Sequence, residues 1–362
     1  MGLPPQGPPF GETIFSIRHR QTEVYNSLMP ELPRLAITLG DAAGIGPEVV
    51  AKSLSASEGL GARPLVIGSA SVLQRALALV GSNRTIHQVS DPLESSPEAS
   101  IAVYGEDLPE LEALPYGVAS AAAGGAAVQW AMSAARLAMN GQVQGVVTAP
   151  LNKEAAHLAG YEELGHQEIY QTMTAAPDVL TMLVTPGLRV VHLTTHRSLK
   201  TACDYVTREN VLAKLKLTNA FFSSHGYPHP RIAVAALNPH GGEAGLIGSE
   251  EIDAIGPAVE DAKKLGINAN GPIPADSVFN QAIDGRYEVV LAMYHDQGHI
   301  AIKVHDWAAS TTMNLGLPFL RTSVDHGTAY DIAGKGVADA TGMAQAIRLA
   351  ARLASSGTLS GS

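Results

Sequence analysis

Three apolar runs in the chain each end in a histidine. Val289-Val290-Leu291-Ala292-Met293-Tyr294 leads into His295-Asp296-Gln297-Gly298, Leu188 to Thr195 into His196, and Arg231 to Pro239 into His240. Uninterrupted apolar runs of this length read as strands buried on both faces, and ligands of open α/β sheets bind beyond the carboxyl ends of such strands. Neutral imidazole is a common ligand for zinc and similar divalent metals, and three protein ligands with one open position is a catalytic layout. One histidine after a strand is more often a turn residue; three from three strands strengthen the metal reading. Two cations accompany them. Lys303, eight positions past His295, reaches either the surface or an anion. Arg321 follows Leu315-Gly316-Leu317-Pro318-Phe319-Leu320, where a buried guanidinium needs a carboxylate or a phosphate. Asp276, after Gly271-Pro272-Ile273-Pro274-Ala275, is a helix N-cap or a reactive carboxylate. The residues alone describe a metal-assisted α/β enzyme for a small anionic substrate, with the reaction open.

The elements that must position these residues alternate strand and helix. Arg34 to Leu39 is a short strand, and Gly40-Asp41-Ala42-Ala43-Gly44-Ile45-Gly46-Pro47-Glu48 leads into a helix through Leu54. That spacing is neither G-x-G-x-x-G nor a P-loop, so a Rossmann fingerprint is not supported. Strands follow at Pro64 to Ile67, Ile101 to Tyr104 and Gly145 to Val147, with an Ala-rich helix before the last. Gly165-His166 opens a helix, Leu180 to Val184 and Arg189 to Leu193 make a hairpin, and Val206 to Phe222 is helical. Ser249-Glu250-Glu251 starts another helix, and Thr341 to Leu353 closes the fold. This is an α/β protein without internal repeats.

Composition narrows the class. With 362 residues, 46% hydrophobic and 16% charged, the chain is long enough for one large or two medium domains. A net charge of −10 argues against nucleic acid or an anionic membrane as partner. The single cysteine, Cys203, rules out an intrachain disulfide framework and fits a reducing cytoplasm. The longest low-charge stretch, Val118 to Met139, is too rich in Ala and Gly to read as a membrane span. Residues 1 to 33 read as a loosely structured extension without a secretory signal.

From Arg34 to Leu353 the sequence resembles the 4-hydroxythreonine-4-phosphate dehydrogenase family of pyridoxal phosphate synthesis. That family includes phosphothreonate and phosphoerythronate dehydrogenases and, further off, terephthalate dihydrodiol dehydrogenase. The matching stretches are Gly40-Asp41 to Glu48, Thr148-Ala149-Pro150-Leu151-Asn152-Lys153, Gly165-His166, Thr194-Thr195-His196, Asn238-Pro239-His240-Gly241-Gly242-Glu243, Pro274-Ala275-Asp276, Tyr294-His295-Asp296-Gln297-Gly298 and Leu315 to Gly336. The loop His326 to Gly336 also resembles the cofactor loop of isocitrate and isopropylmalate dehydrogenases, whose fold binds NAD without a Rossmann fingerprint.

The resemblance implies a two-domain α/β/α fold of the isocitrate/isopropylmalate dehydrogenase kind, with the active site in the interdomain cleft. Residues 34–145 with 325–362 would form one domain and 146–324 the other, which carries metal and substrate residues. It implies His196, His240 and His295 as ligands of one divalent metal (Zn, or Mg, Mn or Co), shared across a homodimer. Substrate contacts fall on His166, Gln167, Lys303, Thr312 and Arg321, catalytic roles on Asp276 and Lys303. NAD or NADP contacts fall on Asn238, Gly241, Gly242, His326, Gly327 and Asp331. The implied reaction is oxidation of a secondary alcohol followed by decarboxylation of the β-keto acid. The metal would polarise the alcohol, a positioned group move the proton, and the nicotinamide take the hydride. Five positions depart from the family: Gln167 for Thr, Thr312 for Asn, His299-Ile300 for Leu-Pro and Ala42 for Pro. The first two bear on the substrate, so an unphosphorylated acid such as an aromatic cis-dihydrodiol carboxylate is the alternative within the class. Outside it stand a metal-dependent hydrolase needing no nicotinamide and a non-catalytic metabolite binder.

Overall fold

A computed structural model describes residues 32–56, 59–97, 99–162 and 165–359. The extension expected at 1–33 lies, but for its last two residues, outside them. Among the described residues twelve strands form one mixed sheet. They are β1 (Arg34–Thr38), β2 (Arg63–Ile67), β3 (Thr85–Val89), β4 (Ser100–Tyr104), β5 (Gly145–Thr148), β6 (Leu180–Thr185), β7 (Leu188–His192), β8 (Ile232–Ala235), β9 (Ala269–Ile273), β10 (Val289–Ala292), β11 (Thr311–Leu315) and β12 (Arg321–Val324). Their order is β3-β4-β2-β1-β5-β12-β11-β6-β7-β10-β8-β9.

Neighbours from β3 to β12 run parallel, as do β7, β10, β8 and β9. Between these wings β12, β11, β6 and β7 are successively antiparallel. The β6–β7 hairpin is as expected, because Gly187 at φ 81° supplies the tight reversal between them. The strand residues of β1, β5, β7, β8 and β10 are all buried, the mark of a sheet covered on both faces.

The core divides as the wings do. One apolar cluster gathers β1, β2, β4 and β5 with Met343, Ile347 and Ala350 of the last helix, Thr341–Ser356. A second gathers β6 to β10 with Phe222, Ile255 and Val259, and a third sits on the opposite face around Val190, Val290 and Ile302. The helix expected at 206–222 is Arg208–Ser224, capped by the Thr207 side chain, and a separate short helix, Leu199–Asp204, precedes it. The Gly271–Pro274 stretch before Asp276 is partly strand, since β9 runs to Ile273. Pro272 sits in β9, an edge strand, where a missing N–H is tolerated. Among the described residues no helix is long and apolar enough to cross a membrane.

Candidate active site

β7 and β10 are parallel neighbours, with His192 opposite Ala292. Four residues past one and three past the other, His196 and His295 therefore leave the sheet side by side, ring centroids 6.0 Å apart. The chain past β10 is not the extended break that its apolar run suggests. It turns at once into the helix His295–His305, so His295, His299 and Lys303, at four-residue spacing, share one helical face. Gly298 permits this approach: a Cβ there would stand 2.3 Å from His192 Nε2.

A cavity of about 470 Å³ opens over this face. His196, His295, His299 and Lys303 line it from one wing; His166, Thr312 and Arg321 enclose the other end, with Lys153, His326 and Gly327 at its border. Arg321 starts β12 and is 6% exposed. Its Nε and Nη2 donate to Thr148 Oγ1 at 3.2 and 2.6 Å, and its Nη1 to Asn314 Oδ1 at 2.7 Å. No carboxylate pairs with it among the described residues, and burial pulls its pKa down to about 10. His166 Nε2 is sealed from solvent without a partner. Burial, then the Arg321 charge, holds that imidazole neutral. Burial likewise lowers His196, helped by Lys153. His299 stacks on His295 with centroids 3.6 Å apart, and burial followed by that neighbour takes its pKa to about 4. Lys303 donates to Asp325 Oδ2 at 2.7 Å and lies 4.5 Å from the Trp307 ring centroid.

His240 does not line this cavity, nor do Asp276, Asn238, Gly241 and Gly242. After β8 the chain makes a left-handed turn: His240, Gly241, Gly242, Glu243 and Ala244 all have positive φ, from 46° to 79°. Three of these are not glycine, so the turn is strained and must be held from outside. Glu251 holds it. Its Oε1 accepts from the Leu237 and Asn238 amides, both at 2.8 Å, and its Oε2 from Asn238 Nδ2 at 2.9 Å. The helix Ala275–Ile283, with Asp276 exposed in its first turn, packs against the same turn. Asp276 is not the N-cap, a position that Pro274 takes. Asp331 is exposed at the surface, and Gln167 points to β6 and β11, where Thr181 Oγ1 donates to its Oε1 at 2.6 Å.

The donor set suits a metal in part. His295 Nδ1 lies 2.6 Å from Asp296 Oδ1 and His240 Nδ1 2.9 Å from Glu243 Oε1. A carboxylate only accepts, so each Nδ1 carries a proton and each Nε2 is the nitrogen turned outward, the usual arrangement behind a metal-binding histidine. Among the described residues of one chain, no three His, Cys, Asp or Glu side chains converge to hold an ion. Two imidazoles are in place, and the third is on another surface.

Sequence reasoning missed Lys153, His299, Asp325, Thr148 and Asn314. Lys153 and Thr148 sat in a stretch already singled out, and the four-residue spacing from His295 to Lys303 would have exposed His299. Asp325 and Asn314 gave no signal. The glycine-rich stretch after β1 also gains a purpose. Tyr330 donates to Asp41 Oδ2 at 2.7 Å, the Ile45 amide to the Thr328 carbonyl at 3.0 Å, and the Ala338 amide to Glu48 Oε1 at 2.7 Å. It anchors the loop from Asp325 to Gly336 and carries no nucleotide motif of its own.

A cavity lined by Lys303 and Arg321 beside paired imidazoles on a mixed sheet is the layout of an α/β enzyme. The family model described as pyridoxal phosphate biosynthetic protein PdxA matches residues 61–350. D-Threonate 4-phosphate dehydrogenase of Salmonella typhimurium is 44% identical over 330 residues, covering 90% of this chain and 100% of that one. The crystal structure of 4-hydroxythreonine-4-phosphate dehydrogenase from Klebsiella pneumoniae superposes with a TM-score of 0.83 at 43% identity, covering 90% and 98%. A terephthalate 1,2-cis-dihydrodiol dehydrogenase from Burkholderia xenovorans gives 0.60 at 30%, covering 90% and 98%. The chain belongs to the 4-hydroxythreonine-4-phosphate dehydrogenase family, as its motifs indicated. These named relatives are dehydrogenases, and the chain is an oxidoreductase by membership.

Proposed function

We propose that the protein oxidises a secondary alcohol of a phosphorylated four-carbon hydroxy acid, of the D-threonate 4-phosphate or 4-hydroxythreonine 4-phosphate type, with NAD or NADP as acceptor. The β-keto acid formed then loses carbon dioxide. The observation that carries this reading is Arg321: a buried guanidinium on the cavity wall, without a carboxylate partner among the described residues, calls for an anion from outside. The relatives with phosphorylated substrates in their names stand at 43–44% identity and the dihydrodiol enzyme at 30%.

In this reading Arg321 and Thr312 orient the anionic end of the substrate beside the neutral His166. The Asp276 carboxylate would take the proton of the substrate hydroxyl, and Lys303, held by Asp325, would give a proton to the enolate carbon that carbon dioxide leaves. A divalent metal held by His196, His295 and the partner's His240 would supply Lewis-acid polarisation of the alcohol oxygen. His326 and Gly327 would receive the nicotinamide, which would supply the hydride acceptor when bound. Asp276 and the Asn238–Gly242 turn join the site from the second copy. Two apolar surfaces favour such a homodimer. Leu246 (88% exposed), Ile247 and Ile252 flank the His240 turn, while Ile300 and Val304 (82% exposed) stand out from helix His295–His305 and Trp307 follows two residues past its end. Residues 34–145 with 325–362, and 146–324, are the two domains in this reading. The single cysteine suits work in the cytoplasm.

The test is NADH and NADPH formation by the metal-supplied protein, with carbon dioxide measured in parallel. The panel holds D-threonate 4-phosphate, 4-hydroxythreonine 4-phosphate, D-erythronate 4-phosphate, their unphosphorylated forms and terephthalate dihydrodiol. Turnover confined to a phosphorylated acid, with one carbon dioxide released per hydride, is the expected result. Turnover of unphosphorylated compounds alone overturns the substrate assignment.

A further inference from the structure

Gln167 occupies a position that the family resemblance gives to a substrate contact, yet its side chain bonds within the protein. Thr181 Oγ1 donates to its Oε1 at 2.6 Å, Asn314 Nδ2 reaches the same oxygen at 3.4 Å, and its own Nε2 reaches the Val179 carbonyl at 3.5 Å. Asn314, 3% exposed in β11, presents its Oδ1 to Arg321 Nη1 at 2.7 Å. We propose that Gln167 is a positioning residue for Arg321, acting through the Asn314 amide. The proposal rests on the reading of Arg321 as the anion-binding group.

The polarity of the chain argues for this. A guanidinium has only donors and a backbone carbonyl only accepts. The Val179 carbonyl therefore faces the Gln167 NH₂, which turns Oε1 toward Asn314. That oxygen accepts the Asn314 NH₂, which in turn commits Oδ1 to Arg321. The guanidinium fixes one amide and the carbonyl fixes the other, and the two orientations agree at the Asn314–Gln167 contact between them. Of the five N–H donors on a guanidinium, three go to Thr148 and Asn314. The two left, one on each terminal nitrogen, are free to take an anion as a fork. Without Gln167 the Asn314 NH₂ loses its acceptor, the Asn314 side chain is held at one end only, and the guanidinium it supports is placed less firmly.

Steady-state kinetics on D-threonate 4-phosphate and calorimetric binding of inorganic phosphate test this on Gln167→Met, Asn314→Leu, the double variant and Arg321→Gln, with melting curves for each. Gln167→Met should raise KM and the phosphate Kd about tenfold, as expected for weakening a bond to a charged group, with kcat within about threefold. The double variant should be no worse than Asn314→Leu alone, since both break one relay. If Asn314→Leu fails to fold, Asn314→Ala takes its place. Loss of phosphate affinity in Arg321→Gln with none in Gln167→Met overturns the relay and spares the anion site. Unchanged phosphate affinity in Arg321→Gln overturns the relay and the anion reading together. A fall in kcat and melting temperature at constant KM reduces Gln167 to a packing role and also overturns the relay.

Discussion

The ammonium of Lys303 stands 2.7 Å from Asp325 Oδ2 and 3.0 Å from the Asp325 carbonyl, and Ser310 donates to the same carboxylate oxygen at 2.6 Å. Asp325 thus fixes the one cation on the helix face that also carries His295. A positioned proton-transfer group contributes roughly 10²- to 10⁴-fold. Lys303→Met is expected to lower kcat by about that factor. Asp325→Asn, which leaves the amine but loosens it, should lower kcat by about tenfold, within the reach of one charge-assisted hydrogen bond. Initial rates at saturating cofactor check both.

The placement of His240 predicts complementation. His240→Ala and His295→Ala should each be inactive alone. A mixed dimer would carry one intact site, with His196 and His295 from the first variant's chain and His240 from the second's. Random exchange makes half the dimers mixed, so the equimolar mixture should recover roughly a quarter of parental activity. No recovery after verified subunit exchange would mean that the three histidines act within one chain.

Glu251 predicts a pH dependence of stability. Burial pushes its carboxyl up, but the Asn238 side chain and the loop amides outweigh this and hold it below the ordinary carboxylate range. A carboxylate with a depressed folded pKa adds stability that is complete above its unfolded value and lost as pH falls through the folded one. Glu251→Gln should therefore cost about 1–3 kcal/mol at pH 7 through an NH₂ set against the Asn238 NH₂. The gap in melting temperature from the parent should narrow below about pH 4. A gap constant from pH 8 to pH 3 would contradict the assignment.

Gly298 is the tightest packing point under the site. An added methyl would meet His192 Nε2 at 2.3 Å and Val190 Cγ1 at 2.8 Å, both in β7, which is buried throughout. Gly298→Ala should destabilise the protein by about 1–3 kcal/mol, the range for overpacked cores. It should also separate His295 from His196, so metal affinity measured by competition with a chelator should fall more than unfolding alone explains.

How much of this was written in the sequence depends on what each residue faces. β1, β5, β7, β8 and β10 are buried on both sides and announced themselves as apolar runs. β11 and β12 did not, because Thr312, Asn314, Arg321 and Ser323 bring polar groups to the cavity and the relay behind it. The strands that build the site were thus the hardest to see. No helix is legible from His295 to Lys303 because Gly298 and a polar start mask the helical period. His196 and His295 were legible as a pair since each follows an apolar strand. That β7 and β10 are neighbours depends on the sheet order, which no local pattern carries. The turn at His240 is hidden for a further reason: its hand is imposed by Glu251, which lies beyond it in the chain.

The pairing of β5 with β12 joins Thr148 to Arg321 and Ser323, 173 and 175 residues further along. A ribosome making this chain has released all of the first wing long before the strand that completes it exists. Until residue 324 has emerged, β5 has an open edge and Thr148 has no guanidinium to accept from. Contacts this remote in sequence make for slow folding and a long interval of exposed strand edge. The anion pocket is consequently among the last features to form, and a ligand that needs Arg321 in place binds only the finished fold. Such a ligand shifts the folding balance wholly toward the native state.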